Sequence, residues 1–158
     1  MYMNNNNVFN ERYNGKYFVR KSEGPFIYLG KRKYYDLSYG SGTLILGHNS
    51  KILKKSLNDV NKNKISLYSE PNIYASLFAK SLKKLNKNYE KFIFCNSGTE
   101  AVFKALRISK AITKKNIIVS VTGSWHGSTD KLLFKKKNNS ILPVSDGLNE
   151  YDRKNIKI

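Results

Sequence analysis

Two short segments of this 158-residue chain hold the side chains best suited to chemistry. The first is Asn96-Ser97-Gly98-Thr99-Glu100, set immediately before an apolar stretch of helical period. The first N–H groups of a helix lack intrahelical partners and sit at the positive end of its dipole, so Ser97-Gly98-Thr99 is suited to hold a phosphate. Gly98 would let an anion approach the main chain, and the hydroxyls of Ser97 and Thr99 would add donors. The same spacing has a purely structural reading, because Ser97 with Glu100 three residues on is a capping box. The second segment runs from Gly123 to Asp130 and carries the only Trp of the chain, Trp125, and one of its two His, His126. An indole can stack on a flat heteroaromatic ring or serve as a half-buried apolar anchor, and an imidazole can act on a ligand or simply satisfy the fold. Spacing alone leaves these alternatives open.

The elements that must position these residues follow from apolar periodicity. Phe92-Ile93-Phe94-Cys95 is a short continuous apolar run of the kind a doubly buried strand produces. A helical pattern follows with Ala101, Val102, Ala105, Leu106, Ile108 and Ile112, and Ile117 to Val121 reads as a second buried strand. Strand, helix, strand predicts a βαβ unit in an α/β fold, in which ligands bind beyond the carboxyl ends of the strands, where both segments lie. Upstream, Gly24 to Leu29 and Tyr34 to Leu37 predict a hairpin turning through Gly30 to Lys33. Ile52, Leu53, Ser56, Leu57 and Val60 predict an amphipathic helix over 50–64, and a further helix should start near Pro71, a residue suited to a first turn. Residues 1–10 read as a disordered polar tail, 11–70 as an N-terminal segment with hairpin and helix, and 71–158 as the first part of a larger ligand-binding domain. From Lys135 onward the pattern weakens, and the Lys135-Lys136-Lys137 run beside Asn138-Asn139 reads as a loop.

Composition narrows the classes. No window approaches the roughly 18 consecutive apolar residues a spanning helix needs, and Met1 to Asn7 lacks the apolar stretch of a secretory signal, so a cytoplasmic protein without membrane contact is expected. The single cysteine, Cys95, excludes an internal disulfide framework and a multi-cysteine metal cluster, and no metal is expected. A formal net charge of +18 suggests a polyanionic partner, and a small basic nucleic-acid-binding domain is the alternative function on that ground. Against it, 24 of the 29 cations are Lys and only 5 are Arg, whereas base and phosphate recognition favours the bidentate guanidinium. Asn is abundant too, at 19 residues, as A·T-rich coding would produce, and nucleic acid is not the expected partner.

Three motifs, in order, carry a resemblance: Tyr39-Gly40-Ser41-Gly42-Thr43-Leu44-Ile45-Leu46-Gly47-His48, then Asn96 to Ala101 with Ala105-Leu106-Arg107, then Gly123-Ser124-Trp125-His126-Gly127. Over about Glu11 to Phe134 the chain resembles the class III aminotransferases, and within them the glutamate-1-semialdehyde aminomutase branch. The resemblance implies the N-terminal part of a fold-type-I pyridoxal-phosphate-dependent transferase, with a small hairpin-and-helix segment and the start of a large, mostly parallel sheet. It implies pyridoxal 5′-phosphate as cofactor, its phosphate on Ser97, Gly98 and Thr99, Trp125 stacked on the ring and His126 beside it. It further implies transfer of an amino group on a small amine or keto substrate, and a homodimer with active sites at the subunit interface. Two positions depart from the family pattern. Trp125 stands where a Tyr is common, and Ser41 stands where the aminomutases carry a Trp near the substrate, which makes another small amine or sugar an equal expectation. The resemblance also sets the Schiff-base lysine and the pyridinium-pairing Asp beyond Ile158, and none of Lys104, Lys110, Lys114, Lys115 or Lys131 is placed to replace that lysine. This chain alone is therefore expected not to transaminate. In the family, strands from elsewhere lie between those matching 92–95 and 117–121, so an incomplete core with open strand edges is expected.

Overall fold

The structure is a computed structural model that describes residues 19–64 and 71–158. The tail expected over residues 1–10 lies outside the described residues. The chain divides into two compact units, Met1–Ser69 and Glu70–Ile158.

The first unit is built on a three-stranded antiparallel meander of β1 (Val19–Glu23), β2 (Phe26–Leu29) and β3 (Arg32–Tyr35). The expected hairpin is β2–β3, closed by the two-residue turn Gly30-Lys31, with Leu29 opposite Arg32 and Phe26 opposite Tyr35. Its second strand starts at Arg32 rather than Tyr34, because a two-residue turn matches strand twist and lets pairing begin at once. Across the pair the Phe26 and Tyr35 rings lie 4.7 Å apart, and the Lys33 ammonium sits 3.6 Å from the Phe26 ring centre. β1 carries no clean alternation and was not legible as a strand.

Beyond β3 the chain enters α1 (Tyr39–Gly42), a single turn of left-handed sense in which Tyr39, Gly40, Ser41 and Gly42 all have positive φ. Only Gly visits this region freely, so a run containing Tyr and Ser needs outside support. Asp36 supplies it: one carboxylate oxygen accepts the N–H groups of Ser38 (3.0 Å) and Tyr39 (3.1 Å), and the other accepts His48 Nε2 at 2.7 Å. His48 is itself fixed by two backbone bonds of 2.9 Å with Gly24. The His48 hydrogen bond above all holds the Asp36 carboxyl below the usual carboxylate range; burial, the next largest influence, opposes it, and the Tyr39 and Ser38 N–H groups add smaller lowering effects. A carboxyl with a lowered folded-state value stabilises the fold fully above its ordinary range and loses that contribution as pH falls through the lowered value. The Tyr39 amide resonance should therefore shift on acidification below the carboxylate range, and Asp36→Asn should abolish that titration; an unaltered acid titration in the variant would remove Asp36 from this role.

The expected amphipathic helix is α2 (Lys51–Lys62), started by the Ser50 side chain accepting the Ile52 N–H. In the second unit α3 (Ile73–Leu85) begins two positions later than Pro71 suggests. Asn72 is the better cap because its side-chain oxygen accepts the Tyr74 N–H at 2.8 Å, and Pro71 lies outside the helix. The expected strand at 92–95 forms no pairs among the described residues. An apolar run becomes a strand only beside a partner, and here Phe94 is held instead by stacking on Phe78 of α3, with ring centres 5.3 Å apart. The predicted βαβ unit is thus reduced to the helix α4 (Gly98–Thr113) and the short β4 (Ile118–Val119). The parallel partner of β4 is β7 (Ile156–Lys157), with Ile118 opposite Ile156. The lysine run is a correction: Phe134–Lys137 is strand β5, paired with β6 (Ser140–Pro143) through the Asn138-Asn139 turn. Asn138 takes a positive φ of 54°, which Asn tolerates better than most residues, so the turn chemistry outweighs the charge of the run. A single helical turn, α5 (Glu150–Arg153), precedes β7.

Among the described residues only Ile118, Phe134 and Ile156 are buried apolar side chains. Ile52 and Leu57 of α2, Leu77 and Phe78 of α3, and Ile93 beside the unpaired segment are exposed. This is the incomplete core expected above. No helix among the described residues is long and apolar enough to cross a membrane.

Candidate functional site

The first turn of the site is set by the cap of α4. Ser97, in extended conformation, accepts the Glu100 N–H on Oγ at 3.2 Å, and Glu100 Oε2 reaches back to accept the Asn96 N–H at 2.7 Å. The capping reading of this motif is therefore correct. It does not exhaust the turn. The Ala101 N–H makes the first bond of the helix, to the Ser97 carbonyl, and the N–H groups of Gly98 and Thr99 before it have no partner among the described residues. Apart from its chain neighbours and its own helix backbone, nothing lies within 4 Å of where a Gly98 side chain would stand, so no other part of the fold covers the main chain there.

The second turn packs directly against the first. The Ser128 N–H donates to Thr99 Oγ1 at 3.1 Å, a contact spanning 29 positions of sequence. Gly127 is buried, with φ of 82°, and a Cβ on it would stand 2.5 Å from Thr99 Oγ1 and 2.8 Å from Thr99 Cα. Glycine is thus required twice, by conformation and by space. Trp125, two residues earlier, is 74% exposed. The Nε2 atom of His126 is buried without a hydrogen-bond partner. A buried polar atom left in that state is costly and marks a place where a partner belongs.

Of the residues singled out from sequence, Thr99 is brought into contact with the loop that carries Trp125 and His126. Ser97 is committed as an acceptor within its own cap, although its hydroxyl proton is not. Ser41 belongs to the first unit and forms part of the left-handed turn held by Asp36. Beside Thr99 a cleft of about 350 Å³ opens between α4 and the following loop, with Lys104, Ser128 and Asp130 among its walls; Ser97, Gly98, Trp125 and His126 do not line it. Ser128 was missed from sequence. Its side chain gives no signal, since its part is played by a backbone N–H that only the fold brings to Thr99. Asp36 was missed likewise, although its partner His48 stands in the first quoted motif. No three His, Cys, Asp or Glu side chains among the described residues converge to hold a metal ion.

Fold and site together define a class. The sequence model described as aminotransferase class-III matches residues 8–144, and the chain belongs to that family. Among its relatives, the glutamate-1-semialdehyde 2,1-aminomutase of Thermoplasma volcanium is 33% identical over 136 residues, which cover 84% of this chain and 32% of the relative. The enzyme of the same name from Sulfolobus acidocaldarius is 36% identical over 119 residues, covering 74% of this chain and 28% of the relative. A transaminase solved with PLP bound has the same fold, with a TM-score of 0.78 at 24% identity, over 89% of this chain and 34% of that one. The chain spans about a third of the length of the relatives it matches. The α/β fold expected from the motifs, the N-terminal part of a pyridoxal-phosphate-dependent transferase fold, is the part this chain shares with that structure.

Proposed function

We propose that this chain supplies the phosphate-binding and ring-binding turns of a pyridoxal-phosphate-dependent aminotransferase or 2,1-aminomutase, which moves an amino group on a small amine or keto substrate. The observation that carries the reading is the contact between the two turns, Ser128 N–H on Thr99 Oγ1 with Gly127 packed against Thr99. The donor set suits the cofactor: two unpartnered N–H groups and two hydroxyl protons at a helix N-terminus for a phosphate, an exposed indole for a flat ring, and an orphaned imidazole nitrogen. When bound, the cofactor supplies an electron sink for the carbanion left when a substrate Cα loses its proton.

The residues of this chain bind and orient. The Gly98 and Thr99 N–H groups and the Thr99 hydroxyl would hold the phosphate, the dipole of α4 would favour its charge, and Trp125 would stack on the ring. His126 would lie beside it, with Nε2 as an unpartnered hydrogen-bonding atom. Ser41 is the candidate substrate residue of the first unit, and its small side chain makes another small amine or sugar as good a substrate as glutamate 1-semialdehyde. The lysine that anchors the cofactor covalently comes from outside this chain, so residues 1–158 hold it without that bond. A cytoplasmic homodimer is the assembly this reading entails.

The test is a titration of the chain with pyridoxal phosphate, followed by its visible absorption. Trp125→Ala should weaken retention about tenfold, in keeping with the loss of one aromatic stacking partner, and alter the spectrum. An unchanged spectrum and affinity would refute the stacking role, and equal affinity for pyridoxal lacking the phosphate would refute the role of the first turn.

A further inference from the structure

Thr99 has two partners to serve with one hydroxyl. A hydroxyl carries one proton and two lone pairs, and in this structure a lone pair of Thr99 Oγ1 is taken by the Ser128 N–H at 3.1 Å. The proton remains available. Gly127 lies against the same side chain with no room for a Cβ, so the loop cannot shift toward α4, and the Ser128 bond opposes its moving away. The loop held in this way carries Trp125 and His126, neither of which has a hydrogen bond or ring contact of its own among the described residues.

We propose that Thr99 is a positioning residue that couples the two halves of the site: an anion bound at the α4 N-terminus accepts a hydrogen bond from the Thr99 hydroxyl, which polarises Oγ1 into a stronger acceptor for the Ser128 N–H and so tightens the loop bearing the ring-binding residues. Chains of hydrogen bonds reinforce one another in this way when each donor is also an acceptor. The consequence is an order of assembly in which the phosphate group of a ligand organises the turn that then meets its ring. This inference rests on the phosphate-binding role proposed above, but it assigns Thr99 a second task that a simple phosphate contact does not include.

The experiment uses the 158-residue chain and inorganic phosphate as the probe, with ionic strength held constant by chloride because the chain carries a net charge of +18. Amide hydrogen exchange is read at Gly98, Thr99 and Ser128, and acrylamide quenching reports on Trp125, the sole Trp. Phosphate should slow exchange at Ser128 about tenfold, the scale of a hydrogen bond strengthened by a charge, and reduce quenching of Trp125. Thr99→Ser, which keeps the hydroxyl, should retain both effects, and Thr99→Val should lose them. Protection of Gly98 and Thr99 with no change at Ser128 overturns the coupling and leaves the phosphate site standing; no protection at any of the three overturns both. A Thr99→Val chain that still shows phosphate-dependent slowing at Ser128 overturns the coupling as well. Should that variant fail to fold, the wild-type pattern of protection alone decides.

Discussion

Gly127→Ala is expected to lower the stability of the second unit by about 2–5 kcal/mol, combining the strain of a side chain at positive φ with an overlap that must be relieved by moving backbone. The new Cβ would stand 2.8 Å from Thr99 Cα, an atom that a rotamer change cannot move. Gly123 provides the control, since its φ is also 82° but no atom lies within 4 Å of its Cβ position. Gly123→Ala therefore bears only the conformational strain, roughly 1–2 kcal/mol. Urea unfolding followed by circular dichroism separates the two: the Gly127 variant should have the lower midpoint, and coincident midpoints would show that the turns are not in contact. The same variant should lose the Ser128 bond and with it the alignment of Trp125.

Phe134→Ala should be the most damaging substitution in the small core. Removing a buried phenyl ring removes about 3–5 kcal/mol, and only Ile118 and Ile156 are buried with Phe134 among the described residues. Total stabilities of ordinary domains are about 5–15 kcal/mol, so a unit with so little buried surface has no reserve to absorb the loss. Leu85→Ala, at a position 85% exposed at the end of α3, should stay within about 0.5 kcal/mol of the parent. Thermal unfolding of the two variants decides the matter, and equal effects would mean that burial is not what holds this unit.

What could be read from the sequence follows the range of the interactions involved. Ser97 and Glu100 are three residues apart, so the cap and the helix it starts are written locally, and the same holds for the Ser50 cap of α2. Residues 92–95 show the opposite case: their apolar character is real, but a strand is a property of a pair, and composition cannot supply the second member. The left-handed turn at Tyr39–Gly42 was illegible for a related reason. Its glycines permit the conformation, yet Tyr39 and Ser41 adopt it because Asp36 and His48, twelve positions apart, meet beside it. At the candidate site, the Ser97–Glu100 cap was legible and the contact between the two turns was not. Thr99 was read as a ligand contact, while its bond to Ser128, across 29 positions, gives it a structural duty as well.

The pairing of β4 with β7 also bears on synthesis. Ile118 and Ile156 close a loop of roughly 40 residues, at an entropic cost of about 3 kcal/mol that two short strands offset only with the burial of both isoleucine side chains. During translation Ile118 leaves the ribosome well before Ile156 does. For that interval α4 and the Trp125 loop emerge with no partner for β4, so the nascent chain offers an open strand edge to chaperones or to other copies of itself.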